Sequence, residues 1–433
     1  MSYSFRGGVS LVSKRELTMH KPLVDLENVS VVRIPLGGSG IDFSPVVNPG
    51  DPVRMGQVIG ESSLLSRFSI RSSVSGTVRE ISDGVLPDGS AVPFVTIEND
   101  GLDTLEPLSR AMDWQMMEPD SILDTICASG IVDRTGYPVF AMLGRQISST
   151  DTLIVCGLDG EVWTSAVYRT LCDEAEDIVE GIHVLMRLFG RVRCIVAMPE
   201  SAGEATDAMR AAAGSDNRIR FLALRDKYPQ TDARLLIRTI TGRDAAGDLS
   251  KTRCAVLGAQ ETAAIGRALR AGIPDLSRIV TVSGDAVAAP RNLRVRAGTA
   301  WYEIVHACGG YLETPKCLLV GDVMHGAASF TDNISFMPGQ SGFVALSDEA
   351  AEEKPAEPCI GCGRCAQVCP YALIPAQVRA LLENGQRAVL SRLPLAQCTL
   401  CGACAYVCPA HIRLAQVMRR ALEEREENED GRE

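Results

Sequence analysis

The chain has no basic surplus, no long apolar run and no signal-peptide pattern, and each absence excludes a class of protein. Its 43 Lys and Arg residues are outnumbered by 54 Asp and Glu residues, which leaves a net charge of −11. Because a binder of duplex nucleic acid usually presents a basic face, we expect no nucleic-acid partner. No uninterrupted apolar stretch reaches the roughly 18 residues that cross a membrane, and residues 1–17 lack the basic and apolar regions of a signal peptide. We therefore expect a soluble, cytoplasmic protein that would reach a membrane only through partner subunits.

Cysteine is the residue type that the chain has in excess, with 15 among 433 residues. The composition is otherwise ordinary for a globular protein, and at about 100–200 residues per domain the length predicts several domains. A long chain without an export signal is not a disulfide scaffold, so the cysteines indicate metal or redox chemistry. Eight of them lie between Cys359 and Cys408. The other seven are scattered singly, and we interpret them as small buried hydrophobic residues: Cys127, Cys156, Cys172, Cys194, Cys254, Cys308 and Cys317.

The eight clustered cysteines form one motif that occurs twice. Each copy has the spacing C-x2-C-x2-C-x3-C-P of bacterial-type [4Fe–4S] sites, in which the fourth cysteine binds the other cluster. The spacing therefore predicts a first cluster held by Cys359, Cys362, Cys365 and Cys408, and a second held by Cys398, Cys401, Cys404 and Cys369. Zinc is the alternative, but zinc sites pair two C-x2-C units without a third cysteine or a final C-P. No histidine lies inside either motif, so we expect electron carriers rather than catalytic Lewis acids.

The remaining sequence divides into segments that differ in their pattern of apolar, polar and turn residues. Residues near the N-terminus alternate short apolar runs with Gly- and Pro-rich turns, which is typical of an all-β module. The middle of the chain has the strand–helix rhythm of a doubly wound, Rossmann-like α/β domain, with strands expected at 151–156, 194–198 and 219–224 and helices at 164–189, 203–213 and 260–271. The predicted boundaries are 1–105 for the all-β module, 115–290 for the α/β domain, 291–346 for a small α+β unit with a helix near 299–308, 347–358 for a linker, 359–422 for the cysteine-rich domain with a helix over 376–390, and 423–433 for a charged tail.

Two stretches of the all-β module, residues 50–59 and 73–78, resemble each other. This pattern is similar to the barrel-sandwich hybrid of lipoyl and biotinyl carrier domains, which place a modifiable lysine between such stretches. Residues 57–76 contain no lysine, so we predict a docking or structural module rather than a swinging arm.

The chain as a whole resembles the RnfC-like family, the C subunits of Rnf electron transport complexes and their relatives. The resemblance rests on Phe5-Arg6-Gly7-Gly8 and on the order of the domains. It implies a central domain like the flavin-binding subunit of complex I, a β-grasp (SLBB-like) unit at 291–346 and a C-terminal, α-helical dicluster ferredoxin. It also implies partner redox proteins in a complex of several subunits, attached through those partners to the cytoplasmic face of the inner membrane. Members of the family oxidise NADH at FMN and pass single electrons through two [4Fe–4S] clusters.

The resemblance also implies where FMN would bind, and the sequence departs from the family there. The FMN pocket would include Gly136, Gly157, Asp159 and Glu161. The glycine-rich loop that cradles the flavin phosphate in the family reads GIVDRTGYP over residues 130–138, so Asp133 stands where an anion should approach. Cys156 replaces an asparagine of the pocket. Each lost donor removes about 1–3 kcal/mol of binding, so we predict that the affinity for FMN is weakened or lost.

Two classes of function remain open at this point. The first is an iron–sulfur subunit that relays electrons between a reduced donor, either NADH or a partner flavoprotein, and a partner redox protein. Such a subunit would be an NADH dehydrogenase-like oxidoreductase only if the altered pocket still binds FMN. The second class is a non-catalytic docking or adaptor subunit of a redox complex. An electron-transfer partner of a cobalamin or amino-acid reductase is a further alternative with the same architecture.

Overall fold

The computed structural model describes residues 3–27, 29–38, 40–65, 67–87, 89–108, 113–244 and 248–430, with side chains to residue 425. An all-β module, an α/β domain, a mixed-sheet unit and a helical domain follow one another along these residues. No helix within these ranges is both long and apolar enough to span a membrane.

The N-terminal module is built from short strands. After β1 (Val24–Asp25), which pairs with a later sheet, they are β2 (Val31–Pro35), β3 (Gly37–Gly38), β4 (Ile41–Asp42), β5 (Ser44–Pro45), β6 (Pro52–Val53), β7 (Val58–Glu61), β8 (Ser69–Arg71), β9 (Gly76–Val85) and β10 (Ala91–Asn99). One antiparallel sheet has the order β2-β10-β9-β6, and a second has the order β5-β7-β8. Ile34 and Ile97 of the first sheet share a buried core with Ile59 of the second. The predicted all-β module is confirmed.

The α/β domain contains a parallel sheet of order β13-β12-β11-β14. Its elements are α1 (Pro119–Ala128), α2 (Val139–Gln146), β11 (Thr152–Cys156), α3 (Ala166–Asp173), α4 (Ala175–Phe189), β12 (Arg193–Pro199), α5 (Gly203–Ala213), β13 (Ile219–Leu224), α6 (Ala233–Thr241), β14 (Cys254–Gly258) and α7 (Ala259–Ala271). Leu153 and Val155 pack into the core on one face of the sheet, and Ile154 packs into a separate core on the other. Both faces are therefore covered, as a doubly wound sheet requires.

The helix predicted over 164–189 is interrupted at Glu174, where a buried carboxylate pairs with two distant arginines. Helix α3 ends and α4 begins at Glu174, whose backbone leaves the helical region at φ −122° and ψ 26°. The buried Glu174 carboxylate contacts Arg294 and lies 2.9 Å from Arg267. Both arginines lower the pKa of Glu174 against the opposing effect of burial. The break thus places the buried Glu174 carboxylate beside the guanidinium groups of Arg267 and Arg294. Helical periodicity does not reveal this long-range pairing.

A six-stranded mixed sheet follows, with the order β1-β16-β15-β19-β17-β18. Its further elements are β15 (Ser277–Ser283), β16 (Arg291–Arg296), α8 (Trp301–Ala307), β17 (Cys317–Val320), β18 (Ala327–Ser329) and β19 (Gly342–Leu346). The predicted boundary at residue 290 falls between β15 and β16, which pair antiparallel with Val280 opposite Leu293. Both side chains are buried in one core with Trp301. The sheet therefore starts at β15 and also takes in β1 from the N-terminal segment.

The C-terminal domain consists of short helices around two cysteine loops. They are α9 (Arg364–Val368), α10 (Pro375–Glu383), α11 (Arg387–Leu390), α12 (Ala403–Tyr406) and α13 (Leu414–Asp430). The helix predicted over 376–390 divides after Glu383, where Gly385 takes a left-handed φ of +63°. Residues 423–430 of the predicted charged tail continue α13, and residues 431–433 lie outside the described residues.

Candidate functional site

Two cavities in the C-terminal domain are each lined by four cysteines. Cys359, Cys362, Cys365 and Cys408 line the first cavity, and Cys398, Cys401, Cys404 and Cys369 line the second. Each cavity thus takes three cysteines from one motif and the fourth from the other. The structure brings together the same two quartets that the spacing predicts.

The ligand loops present backbone donors to the sulfur atoms. Each motif turns through a left-handed residue just before its helix, Gly363 before α9 and Gly402 before α12, with φ of +71° and +74°. The backbone N–H of Leu373 donates to Cys369 Sγ over 3.3 Å. Burial raises the pKa of the Cys398, Cys401 and Cys404 thiols, and the backbone N–H groups of Leu400, Ala403 and Ala405 oppose that rise. Such donors stabilise negative charge on sulfur, so the loops fit an iron–sulfur cluster.

The four cysteines of each quartet surround a cavity. Among the described residues, no three His, Cys, Asp or Glu side chains converge closely enough to hold one metal. Zinc would draw its sulfur ligands to about 2.3 Å, whereas a multi-iron cluster needs a wider cage. Burial raises the pKa of the Cys404 thiol to about 12. Formation of the thiolate there is therefore coupled to binding of a cationic metal centre.

The two quartets differ in their exposure. Cys359 and Cys362 are exposed, as is every residue from 352 to 364. The cysteines of the second quartet are all partly buried. The first site therefore faces solvent, while the second faces the rest of the chain.

The N-terminal segment Phe5–Gly8 joins the C-terminal domain to the α/β domain. The N–H of Gly8 donates to the carbonyl of Val368 over 2.7 Å, next to the ligand Cys369. On its other side, Val9 exchanges backbone hydrogen bonds of 2.9 and 2.8 Å with Tyr228 of the α/β domain. Sequence reasoning used Phe5-Arg6-Gly7-Gly8 only to support a resemblance; the structure shows that it is a spacer between two domains.

The structure does not bring the four predicted FMN-pocket residues together. Asp159 and Glu161 line a small polar cavity of about 40 Å³ at the carboxyl edge of the parallel sheet. Gly136 lines a different cavity of about 320 Å³ between the loop and the all-β module. The N–H of Gly157 donates to the carbonyl of Ala197 over 2.8 Å and so belongs to the sheet edge.

Both acidic residues of the small cavity are already engaged. The Asp159 carboxylate accepts the N–H groups of Val167 and Tyr168 at 2.8 and 3.0 Å, at the start of α3. Burial raises the pKa of Asp159 to about 6. Glu161 accepts a hydrogen bond of 2.7 Å from His325. Both carboxylates therefore already have hydrogen-bond partners within the chain.

The loop over residues 130–138 is closed by its own aspartate. One carboxylate oxygen of Asp133 accepts the N–H of Thr135 at 2.7 Å, the hydroxyl of Thr135 at 2.6 Å and the N–H of Tyr137 at 3.0 Å. A loop that binds a phosphate offers its backbone N–H groups to that anion. Here the internal carboxylate takes them, so these residues do not fit FMN as the family's loop does.

Comparison with known proteins agrees with this architecture. Residues 3–102 match the RnfC barrel sandwich hybrid domain, residues 126–262 the Nuo51 FMN-binding domain and residues 358–412 the 4Fe-4S dicluster domain. The C subunit of the proton-translocating ferredoxin:NAD(+) oxidoreductase complex of Clostridium ljungdahlii is 32% identical over 88% of this chain and 85% of its own length. The C subunit of the Na(+)-translocating ferredoxin:NAD(+) oxidoreductase complex of Acetobacterium woodii is 30% identical over 87% of this chain and 86% of its own. A chain of a solved NAD+-reducing [NiFe]-hydrogenase aligns over 71% of this chain and 61% of its own, with a TM-score of 0.47 and 16% identity.

A barrel-sandwich domain, a flavoprotein-like α/β domain and a domain for two [4Fe–4S] clusters define an iron–sulfur electron-transfer subunit. More narrowly, the chain belongs to the RnfC family, the C subunits of Rnf complexes.

Proposed function

We propose that this chain relays single electrons through its two clusters within an Rnf-type complex of several subunits, held at the cytoplasmic face of a membrane by its partners. The observation that carries the proposal is that each quartet of cysteines lines its own cavity. Cys359 and Cys362 of the first quartet are exposed, whereas Cys401 of the second accepts a hydrogen bond from Tyr228 of the α/β domain. This arrangement gives the relay an outer end, where a partner redox protein can approach, and an inner end.

The ligand sets proposed for the relay follow from the same cavities. The first cluster is held by Cys359, Cys362, Cys365 and Cys408, and the second by Cys398, Cys401, Cys404 and Cys369. Because each set crosses between the motifs, loss of one fourth cysteine affects the cluster formed by the other motif.

We further propose that electrons reach this chain from a partner flavoprotein and not from NADH at an FMN of its own. Asp133 satisfies the donors that a flavin phosphate needs. The cavity of about 320 Å³ beside Gly136 is not lined by Asp159 or Glu161, and the cavity that these two carboxylates do line is only about 40 Å³. A site of that size holds about one or two water molecules, whereas ligand pockets are typically about 300–1,000 Å³.

The mixed-sheet unit supports the β-grasp (SLBB-like) assignment of residues 291–346 in part. Strand β16, helix α8 and strands β17 to β19 follow in the order of such a unit, with Trp301 of α8 buried against the sheet. The addition of β15 extends the proposed unit to residue 277. We propose that it docks the α/β domain against a neighbouring subunit.

Iron, sulfide and flavin content, measured on one anaerobically purified sample, tests the proposal. We expect about eight irons per chain and no bound flavin after incubation with FMN, with reduction by a flavoprotein donor but not by NADH alone. Stoichiometric FMN together with NADH-driven reduction would contradict the flavin-free relay. Clusters that no redox partner can reduce or reoxidise would favour the adaptor alternative.

A further inference from the structure

Tyr228 lies where three parts of the chain meet. It follows β13 in the α/β domain and is only 2% exposed. Its backbone bonds Val9 of the N-terminal segment, and its ring packs in one small core with Val9 and with Ala403 of α12. The side chain therefore reaches from the α/β domain to the loop of the second cysteine quartet.

The hydroxyl of Tyr228 is held by an ordered chain of hydrogen bonds. It donates its one hydrogen to the carbonyl oxygen of Cys401 over 2.5 Å. Its oxygen is then left to accept from His325 Nδ1, 3.0 Å away. His325 Nδ1 also lies 2.7 Å from Glu161 Oε1, so its N–H is shared between Glu161 and Tyr228.

Glu161 itself is fixed from a second side. Its other oxygen accepts the N–H of Met324 at 3.2 Å, and its side chain is 9% exposed. The neighbouring Asp322 accepts the N–H groups of Trp163 and Thr164 at 2.7 and 2.8 Å, which ties the segment carrying Glu161 to the mixed-sheet unit. Glu161, which anchors the chain of hydrogen bonds, is thus rigid and partly desolvated. Polar networks are strongest under these conditions.

The chain of hydrogen bonds ends on a peptide group of the cluster loop. The Cys401 carbonyl and the Gly402 N–H belong to the same peptide, and both residues line the second cavity. A hydrogen bond accepted by a carbonyl polarises its peptide and strengthens the N–H as a donor. Because Gly402 borders the cavity, a peptide polarised in this way places more positive charge beside the second cluster and so stabilises its more negative, reduced state.

We propose that Tyr228, held by His325 and Glu161, is a positioning residue that raises the reduction potential of the second cluster. The inference rests on the proposed function, in which Cys401 is a ligand of that cluster. It gives the two clusters unequal potentials, because among the described residues a tyrosine hydroxyl bonds a cysteine carbonyl of the second quartet and none bonds one of the first.

An EPR-monitored redox titration of the full chain tests this inference. Tyr228→Phe keeps the ring and its packing but removes the hydroxyl, so we expect one of the two midpoint potentials to fall while the other stays. Tyr406→Phe is the matched control, since it makes the same chemical change in α12 at a ring that is 49% exposed. His325→Gln leaves Tyr228 in place and should lower the same potential by a smaller amount.

Iron content and thermal stability, measured on the same samples, separate this inference from the proposed function. If Tyr228→Phe and His325→Gln both keep their full iron content and both midpoint potentials, the proposed role of Tyr228 is overturned. The proposed relay is unaffected by that result. An equal fall of both potentials overturns it too, since a general effect of the substitution would then explain the result. A wild-type chain that binds no iron overturns the proposed function itself.

Discussion

Replacement of Gly8 by alanine should weaken the contact between the C-terminal domain and the α/β domain. The expected loss of stability is larger than the cost of backbone strain at Gly8 alone. Gly8 has a left-handed φ of +73°, and a Cβ atom there would lie 2.6 Å from the carbonyl oxygen of Tyr228 and 2.8 Å from the ring of Phe5. The contact with backbone cannot be relieved by a side-chain rotation. The N-terminal segment must therefore shift, which strains the bonds that Gly8 makes with Val368 and that Val9 makes with Tyr228.

Gly101 provides a control with the same strain and no contact. Its φ is +71°, and an added Cβ would meet nothing within 4 Å. The left-handed conformation costs an alanine about 1–2 kcal/mol at either position. At Gly8 two strained hydrogen bonds, from the Gly8 N–H to the Val368 carbonyl and from the Val9 N–H to the Tyr228 carbonyl, add about 0.5–1.5 kcal/mol each. We therefore expect Gly8→Ala to lose about 1–3 kcal/mol more than Gly101→Ala.

Amide hydrogen exchange suits this measurement, because a multidomain chain does not unfold in a single two-state step. Each 1.4 kcal/mol corresponds to about a tenfold change in the opening equilibrium. Amides of residues 364–369 should exchange about 5- to 100-fold faster in Gly8→Ala than in Gly101→Ala, and the visible absorbance of the clusters should be lost at a lower temperature. Equal exchange in the two variants would refute the close-approach argument.

Three further predictions address the cysteines, the loop and one buried acid. Cys408→Ser should remove one cluster and about half of the iron, while Cys308→Ser, at a buried cysteine outside the motifs, should keep all of it; equal iron in the two variants would show that Cys408 is not a ligand, and crossed ligation would be disproved if Cys359→Ser and Cys408→Ser removed different EPR signals. Asp133→Ala removes three hydrogen bonds from the loop, so amides of residues 134–137 should exchange faster, and unchanged exchange would show that the carboxylate does not hold the loop. Burial and Glu161 raise the pKa of Asp322 from 3.8 to about 6, so the folded state binds more protons than the unfolded state in that window and loses stability as the pH rises through it. The Tm of Asp322→Asn relative to wild type should therefore rise between about pH 4 and pH 7, and a flat or falling difference would contradict the assigned pKa.

Residue patterns of short range predicted much of the fold correctly. The alternation of apolar runs indicated the strands β11 to β13 and the helices α5 and α7, because side-chain periodicity is a local property. The same reasoning was wrong in predicting one helix over 164–189, and it did not reveal that β15 and β16 pair across residue 290. Glu174 interrupts the helix to meet Arg267 and Arg294, and β15 joins a sheet whose other strands follow it or, as with β1, precede it by some 250 residues. No local pattern carries those pairings.

The sequence by itself determined the iron–sulfur chemistry of this protein, since four cysteines at fixed short spacing and a following proline constrain a loop whatever surrounds it. The sequence also located the residues at which the loop departs from the family's flavin-binding loop. It did not show how those residues change the conformation of the loop. Only the tertiary structure decided that Asp133 turns back on its own loop, that Gly136 and Glu161 border different cavities, and that Glu161, His325 and Tyr228 converge on Cys401. The physical reason differs between them. The Asp133 contacts depend on the backbone conformation of their own loop, whereas the convergence on Cys401 joins residues from separate domains, whose distances depend on how the domains pack rather than on the order of residues along the chain.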